Sequence, residues 1–385
     1  MDFEYSEEQK MLKKNCRDFM EKEIVPIIDD YEKRGATIPR EEAKSFIKKL
    51  IPLGYIAGLI DEEHGGLGLD LASYGLIMEE LNYAWASLAN IVSIAGLTAL
   101  FLSEAAGEDL IKDYLGPSLS GNIIGCLALS EPDVGSAAPR GIKTRAVLEG
   151  DEYVINGLKT WVSNGSISDI LNVICLLDDG KGTPKIATIL VDRKEYPYTA
   201  TDYHKLGWRA ASTAEVSFDN CRVPKRNLLK GGDDSLGWVL EVNRAFVGIR
   251  ACGVAQAAID ASIKYAQERV QFGKPIGRFQ LIQEMIADMV IKNDSARFLG
   301  LHALELLDKG IRCPKECSMA KAYCSEIVNE VASKAIQIHG AMGLMDDLPL
   351  ERYFRDARMF SIPDGTTEIQ KLIVGREILG MHAFV

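Results

Sequence analysis

Four short segments of the sequence combine residue types that suit ligand binding or acid–base chemistry. The first is residues 127–136, where an apolar run ends and the chain turns at Pro132. Beyond that turn, Gly135 and Ser136 offer a backbone N–H and a hydroxyl that can approach a ligand closely. An ordinary strand-to-loop turn is the alternative explanation, so this segment alone does not establish a binding site.

The second segment, residues 159–164, reads Lys-Thr-Trp-Val-Ser-Asn. Trp161 in a strand beside Ser163 suits a flat ring, because an indole can stack on the face of the ring while the hydroxyl bonds its edge. A tryptophan of the hydrophobic core is the alternative.

The third segment, residues 268–280, joins two predicted helices and begins with Glu-Arg-Val-Gln-Phe-Gly-Lys. Arg269 in this connection suits a pyrophosphate, since a guanidinium matches the charge of the anion. A solvated arginine at the end of a helix is the alternative.

The fourth segment, residues 362–370, reads Ile-Pro-Asp-Gly-Thr-Thr-Glu-Ile-Gln. Pro-Asp-Gly favours a turn, and Thr366 is a good N-cap for a following helix. Asp364 offers a carboxylate for proton transfer, although on this pattern alone it is simply a turn residue.

Composition excludes several classes of function. The 44 Lys and Arg against 55 Asp and Glu give a net charge of −11, which argues against nucleic-acid binding. No apolar run reaches the ~18 residues of a membrane span, and the acidic N-terminus is unlike a targeting peptide. Cys313, Cys317 and Cys324 share a predicted helix face but complete no zinc-ligand set, so we expect no metal. We expect a cytoplasmic protein.

Hydrophobic periodicity divides the chain into three parts. Residues 6–106 are mostly of helical period, and Ser6 with Gln9 predicts a capping box. Strands are predicted at residues 122–129, 144–149, 152–157, 171–177, 185–192 and 214–220, and helices at 237–270, 278–308, 315–340 and 366–380. Because no helices separate the strands, they favour an antiparallel sandwich or barrel. We predict an α+β fold with a helical domain (1–120), a β domain (121–232) and a helical bundle (233–385).

The common nucleotide and hydrolase motifs are absent from the sequence. There is no G-x-G-x-x-G after a strand, no P-loop, no H-E-x-x-H and no G-x-S-x-G. The five histidines are scattered, which gives no support to His-centred catalysis. The residues by themselves therefore indicate an enzyme or a binding protein of helix–sheet–helix order.

Taken together and in this order, the segments resemble the acyl-CoA dehydrogenases, flavoproteins that oxidise acyl-CoA thioesters between Cα and Cβ. The resemblance runs the whole chain through Gly65-Gly66-Leu67-Gly68, the four segments above and Gln337-Ile338-His339-Gly340. It implies a four-helix bundle as the C-terminal domain, FAD bound across a subunit interface, and a homotetramer. The second Gly that usually follows Gly340 is Ala341 here, a small change.

The resemblance also implies which residues bind the cofactor and the substrate. Those expected to contact FAD are Leu127, Leu129, Ser130, Gly135, Ser136, Trp161, Ser163, Arg269, Gln271, Phe272, Phe279, Gln280, Gln337, Gly340, Ala341, Thr366 and Glu368. The partner subunit is expected to supply the strip from Gln337 to Ala341. Those expected at the acyl-CoA substrate are Ser136, Glu241, Arg244, Gly365 and Arg376.

This chain departs from the family at the base. The family typically has Tyr-Glu-Gly-Thr, whereas this chain has Pro363-Asp364-Gly365-Thr366. The alternative base position, just before Arg244, is Asn243, which cannot accept the proton. The resemblance thus implies that Asp364 takes the α-proton while the β-hydride leaves to flavin N5. Its backbone N–H and a flavin ribityl hydroxyl are expected to hold the thioester oxygen.

The shorter base suggests a bulky substrate. Asp retreats by about one C–C bond, ~1.5 Å, relative to Glu, and Pro363 replaces an aromatic ring. We expect a branched or alicyclic acyl group, with cyclohexane-1-carboxyl-CoA giving cyclohex-1-ene-1-carboxyl-CoA as the first candidate. A short or straight chain reached after a small backbone shift is the alternative.

Electron-transferring flavoprotein is the expected acceptor. An oxidase on the same fold and a non-catalytic FAD- or acyl-CoA-binding homologue are the competing functions.

Overall fold

The N-terminal part of the chain is helical. The computed structural model describes residues 4–136, 141–180, 182–230 and 232–383. Its first helices are α1 (Glu7–Phe19), α2 (Ile28–Arg34), α3 (Arg40–Leu50), α4 (Leu71–Ala84), α5 (Ala86–Ala105), α6 (Glu108–Leu110) and α7 (Gly116–Leu119). The predicted capping box is present, because the Ser6 hydroxyl accepts from the Gln9 N–H at 3.1 Å and the Gln9 side chain accepts from the Ser6 N–H.

The middle part forms one curled seven-stranded sheet. Its strands are β1 (Gly125–Ala128), β2 (Arg145–Glu149), β3 (Glu152–Ser163), β4 (Ile170–Asp178), β5 (Lys185–Asp192), β6 (Thr199–Asp202) and β7 (Thr213–Pro224). All six predicted strands are present, and the short strand β6 was missed. The α+β fold class is confirmed.

The pairing within this sheet is mixed. Four strand pairs are antiparallel, as expected, but β4 runs parallel to both β1 and β2. Strand β4 pairs with β5 along one edge, while β1 and β2 share its other edge one after the other. The expectation of antiparallel pairing was therefore incomplete, since hydrophobic period does not encode the direction of a partner that lies far away in sequence.

The C-terminal part is a helical bundle. It contains α8 (Gly232–Glu268), a small hairpin of β8 (Val270–Gln271) and β9 (Lys274–Pro275), α9 (Gln280–Asp308), α10 (Pro314–His339), α11 (Leu350–Met359) and α12 (Thr367–Leu379). Helix α8 packs on α9 and α10, and α12 packs on α10. This arrangement leaves the loop before α12 against the bundle.

Two described helices are long and apolar enough to cross a membrane, which the sequence had not indicated. They are Ala86–Ala105 and Gly237–Glu268. The apolar windows of these helices are 89% and 78% buried inside the protein, as is typical of core helices.

A cluster of buried acids joins α1 to the core. Glu79 accepts from Lys13 at 3.0 Å and from Arg297 at 2.9 Å, and Arg17 pairs with the neighbouring Glu80. Burial raises the pKa of Glu79, but attraction to Arg297 and Lys13 outweighs it, so the pKa lies below its ordinary value. The cations thus stabilise a carboxylate that is otherwise costly to bury.

We expect Arg297→Met to destabilise the fold by ~3 kcal/mol, because it leaves the buried Glu79 carboxylate with a single cation. Urea unfolding at pH 7 measures this loss. Since Glu79 has a depressed folded pKa, its stabilisation is present above the unfolded pKa of ~4.3 and disappears as the pH falls through the folded pKa. The difference in unfolding free energy between the wild type and Arg297→Met should therefore shrink below about pH 4. Lys14→Met, which breaks an exposed pair with Asp18, is the control; equal losses in both variants would contradict the account.

Candidate active site

The turn before α12 places Asp364 in an uncommon backbone conformation. Asp364 has φ of +58° and Gly365 has φ of +90°, both in the left-handed region. Asp enters this region more readily than most residues with a β-carbon. Thr366 then caps α12 by accepting from the Ile369 N–H at 3.4 Å, as its residue type predicts. The turn thus holds a half-buried carboxylate at the start of a helix.

Buried side chains of α12 and α10 hold this turn in place through hydrogen bonds. The Gln370 amide is fully buried and donates to the backbone carbonyls of Asp364 at 3.0 Å and Gly365 at 3.1 Å. Lys321 donates to the Ser361 carbonyl at 3.1 Å, and Thr367 donates to Glu326 at 2.6 Å. Sequence reasoning missed Gln370 and Lys321, although Gln370 belongs to the fourth segment.

Three basic side chains lie near enough to attract the Asp364 carboxylate. They are Arg244, Arg250 and Lys321. Burial lowers the pKa of each, to about 10 for Arg250 and about 8 for Lys321, while Asp364 acts in the opposite direction. All three are mainly protonated at neutral pH, so the base candidate sits in a positively charged setting. Arg250 carried no signal in the sequence.

A buried ion pair organises the loop that follows β1. Lys159 lies 2.8 Å from Glu131 and also donates to the Leu129 carbonyl at 2.9 Å. Glu131 in turn accepts from the backbone N–H groups of Lys143 and Thr144. Each carboxylate oxygen therefore has partners, as a buried charge requires.

The same loop is tied to β3 at the point where β3 bulges. The Thr160 N–H donates to the Ser130 carbonyl at 3.0 Å, which sets residues 127–130 beside Trp161. Leu127, Leu129 and Ser130 are half-buried, and Gly135 and Ser136 are exposed.

Trp161 itself is outside the core. It has φ of +59° at a register shift between β3 and β7, and its side chain is 63% exposed. Its ring centroid lies 4.6 Å from that of Tyr203, with the two planes tilted by 33°, and Ser163 at the end of β3 is half-buried. The core alternative is excluded. A large exposed indole next to hydroxyl groups and the β1 edge fits a flat heteroaromatic ring such as isoalloxazine.

The residues expected to hold the pyrophosphate and adenosine form a second group on the bundle. Phe272, at the tip of the β8–β9 hairpin, is 93% exposed, and its ring lies edge-on 6.1 Å from that of Phe279. Tyr265 stacks on His339 at 4.3 Å, which joins the end of α8 to the end of α10. Arg269, Gln271 and Gln280 are exposed on the hairpin side, and Gln337, Gly340 and Ala341 are exposed at the end of α10.

One chain thus brings together the two sets of residues that are expected at the adenosine. Within residues 4–136, 141–180, 182–230 and 232–383, no hydrogen bond, ion pair or ring contact connects them to Trp161 or Asp364. Glu368 lies exposed in the first turn of α12.

The residues expected at the substrate are placed differently from one another. Glu241 is buried and accepts from the Cys313 N–H at 2.9 Å. The carboxylate oxygen and the thiols of Cys313 and Cys317 lie within 4.8 Å of one another, and burial raises the pKa of both thiols. Arg376 pairs with Glu377 at 2.8 Å. In the described part of the chain, the buried Arg244 Nε has no hydrogen-bond partner, which leaves a donor for a ligand.

Three family models match the chain in succession. They are described as the N-terminal, middle and C-terminal domains of acyl-CoA dehydrogenase, and they match residues 6–122, 126–221 and 231–379. Together they span nearly the whole chain.

Individual relatives agree with these matches. The mitochondrial short-chain specific acyl-CoA dehydrogenase of Mus musculus is 37% identical over 98% of this chain and 91% of its own. The caffeyl-CoA reductase-Etf complex subunit CarC of Acetobacterium woodii is also 37% identical, over 97% of this chain and 99% of its own. The solved butyryl-CoA dehydrogenase of Megasphaera elsdenii has a TM-score of 0.92 at 30% identity, covering 98% of this chain and all of that one.

We expect Lys159→Met to weaken flavin retention, because it leaves Glu131 buried without its cation and releases the loop beside Trp161. The ratio of flavin to protein absorbance after gel filtration measures retention. Glu131→Gln combined with Lys159→Met removes both charges and should recover part of it. If the single variant kept its flavin at the wild-type ratio, the ion pair would not organise the cofactor site.

Proposed function

The chain belongs to the acyl-CoA dehydrogenase family, and we propose that Asp364 is the base that removes the substrate α-proton. As a member of this family it is an FAD-dependent oxidoreductase that dehydrogenates an acyl-CoA thioester. FAD supplies the acceptor for the β-hydride. The observation that carries the proposal is the fixed left-handed turn that presents the Asp364 carboxylate beside α8.

The backbone of the turn supports the same role. Among the described residues, the Asp364 N–H has no hydrogen-bond partner, whereas the carbonyls of Asp364 and Gly365 are both bonded to Gln370. A free N–H beside the base suits the thioester oxygen, on which negative charge grows as the α-proton leaves. Arg244 and Lys321 add positive charge around that position.

For the substrate we propose an acyl group that is bulky at Cα, with cyclohexane-1-carboxyl-CoA as the first compound to test. The short side chain of Asp364 and the absence of an aromatic ring at Pro363 support extra room above Cα. A straight short chain is the second candidate, favoured by the likeness to relatives named for short-chain and butyryl-CoA substrates.

Electron transfer and assembly belong to the same proposal. A relative named as part of an Etf complex supports electron-transferring flavoprotein as the acceptor. The exposed Phe272 and Leu281 beside the expected adenosine residues support burial against another subunit in a homotetramer. A cytoplasmic location stays a prediction.

We expect anaerobic addition of cyclohexane-1-carboxyl-CoA to bleach the flavin of the wild-type protein. Asp364→Asn should slow this bleaching by ~10²–10⁴-fold, because the amide cannot accept the α-proton. Stopped-flow absorbance near the flavin maximum measures both rates. Asp364→Glu is the matched control, since it keeps a carboxylate and extends it by ~1.5 Å. It should retain bleaching and shift preference from the ring towards butyryl-CoA.

Each outcome of this experiment separates the candidates. Bleaching by butyryl-CoA alone would remove the ring and leave a short-chain dehydrogenase. Bleaching that survives Asp364→Asn at the wild-type rate would remove Asp364 as the base. Rapid reoxidation by dioxygen would favour the oxidase, and an unreactive flavin with every thioester would favour a binding protein.

We expect light scattering after gel filtration to give four times the 42.3 kDa mass of one chain. Phe272→Asp, which places a charge at the exposed hairpin tip, should lower both the assembly mass and flavin retention. Val147→Asp, at another exposed apolar side chain in the β domain, is the control. A monomeric wild-type protein with full flavin would contradict the shared cofactor site.

A further inference from the structure

A fully buried arginine lies between α5 and α8 near Asp364. Arg250 is 2% exposed and donates to the Ser93 hydroxyl at 3.0 Å and, at 3.5 Å, to the Asn90 carbonyl oxygen. Its third donor group, Nε, has no partner in the part of the chain that the structure describes. A buried N–H without an acceptor costs ~1–3 kcal/mol, so this site is incomplete.

Two other buried donors beside Arg250 lack partners in the same way. The Asn90 amide accepts from Arg250 through its oxygen, and no described residue accepts from its Nδ2 group. The Trp208 indole lies under Arg250, with the guanidinium carbon 5.7 Å from the ring centroid, and its Nε1 is also unpaired. The cluster therefore has three spare donors of hydrogen bonds.

The charge of the cluster is also unbalanced. Among the described side chains, no carboxylate lies within 4.0 Å of Arg250, although the guanidinium is buried. Asp364 is the carboxylate that attracts Arg250 electrostatically, and it attracts Arg244 and Lys321 as well. The guanidinium keeps its charge at neutral pH, because burial lowers its pKa only to about 10. A buried cation in this state calls for an anion.

The position of the cluster relates it to the substrate. Asn164, next to the end of β3, donates to the carbonyl of Ile91 at 2.9 Å, so this part of α5 lies against the corner expected to face the flavin. Arg250 approaches the same region from α8, and the Trp208 ring beside it lies 5.0 Å, between ring centroids, from Phe360, which precedes Asp364 by four residues. The cluster thus lies between the corner expected to face the flavin and the segment that leads to Asp364.

We infer that Arg250, Asn90 and Trp208 form a subsite for a carboxylate at the far end of the acyl group, so that the substrate is a CoA monothioester of a dicarboxylic acid. This inference rests on the proposed function and refines its substrate: the acyl group carries a second carboxylate, and cyclohexane-1-carboxyl-CoA is then an analogue that lacks it. An oxygen anion accepts from several donors at once and neutralises Arg250, whereas an alkyl end leaves every spare donor unpaired. For a ring substrate, the second carboxylate belongs on the carbon opposite Cα.

Binding of unsaturated thioesters tests the subsite apart from the chemistry. Isothermal titration of the wild-type holoenzyme would compare 4-carboxycyclohex-1-ene-1-carboxyl-CoA with cyclohex-1-ene-1-carboxyl-CoA, and hex-2-enedioyl-CoA with hex-2-enoyl-CoA. We expect the carboxylate member of at least one pair to bind ~10-fold more tightly or better. Arg250→Gln should lower its affinity by ~10²-fold, because truncating one partner of a buried charge pair costs that much, and should leave the neutral member unchanged.

Two further variants test whether the loss of affinity in Arg250→Gln is only a structural effect. Arg250→Lys keeps the charge and should keep part of the preference. Asn90→Asp supplies an internal carboxylate beside Arg250 and should abolish the preference while flavin retention stays normal. Equal affinities within both pairs, or an equal loss for neutral and charged thioesters in Arg250→Gln, would overturn the subsite. A failure of the proposed function would appear separately, as a flavin that no saturated thioester bleaches although the binding preference persists.

Discussion

The proposed active site depends on one constraint, the fixed turn at Asp364. A left-handed conformation at a residue with a β-carbon costs roughly 1–2 kcal/mol, and it persists only when neighbours hold it. Here Gln370 binds two successive carbonyls of the turn, and Lys321 binds the chain at Ser361 just before it. The turn cannot relax without leaving buried polar groups unpaired. The helical bundle thus fixes the position of the Asp364 carboxylate.

The sheet positions the residues that are expected to contact the flavin. The Lys159–Glu131 pair is buried in β-structure and anchors the loop after β1, while the bulge in β3 turns Trp161 outward. Helix α5 packs against both the sheet and α8, so it fixes the distance between the two halves. The proposed reaction centre lies where these three units meet, and none of them forms it alone.

Much of this arrangement was predictable from sequence because it rests on local patterns. The capping box at Ser6, the N-cap at Thr366 and six of the seven strands of the large sheet follow from residue type and period. The partners of buried charges did not follow. Arg250 lies in an otherwise apolar stretch of α8, and nothing in the sequence marks it as a residue that bonds to α5. Glu241, which was expected at the substrate, accepts a hydrogen bond from the Cys313 N–H. These contacts join residues about 70 to 160 positions apart, and nothing local encodes them.

Proton removal by Asp364 can be measured without any hydride transfer. In 3-thiabutyryl-CoA a sulfur replaces Cβ, so the α-proton can leave but no β-hydride is present. Incubation of this thioester with the holoenzyme in D₂O, followed by proton NMR, reports the rate of α-proton exchange. We predict rapid exchange with the wild type and a rate lower by at least ~10²-fold with Asp364→Asn. Exchange at the wild-type rate in Asp364→Asn would contradict the assignment of Asp364 as the base.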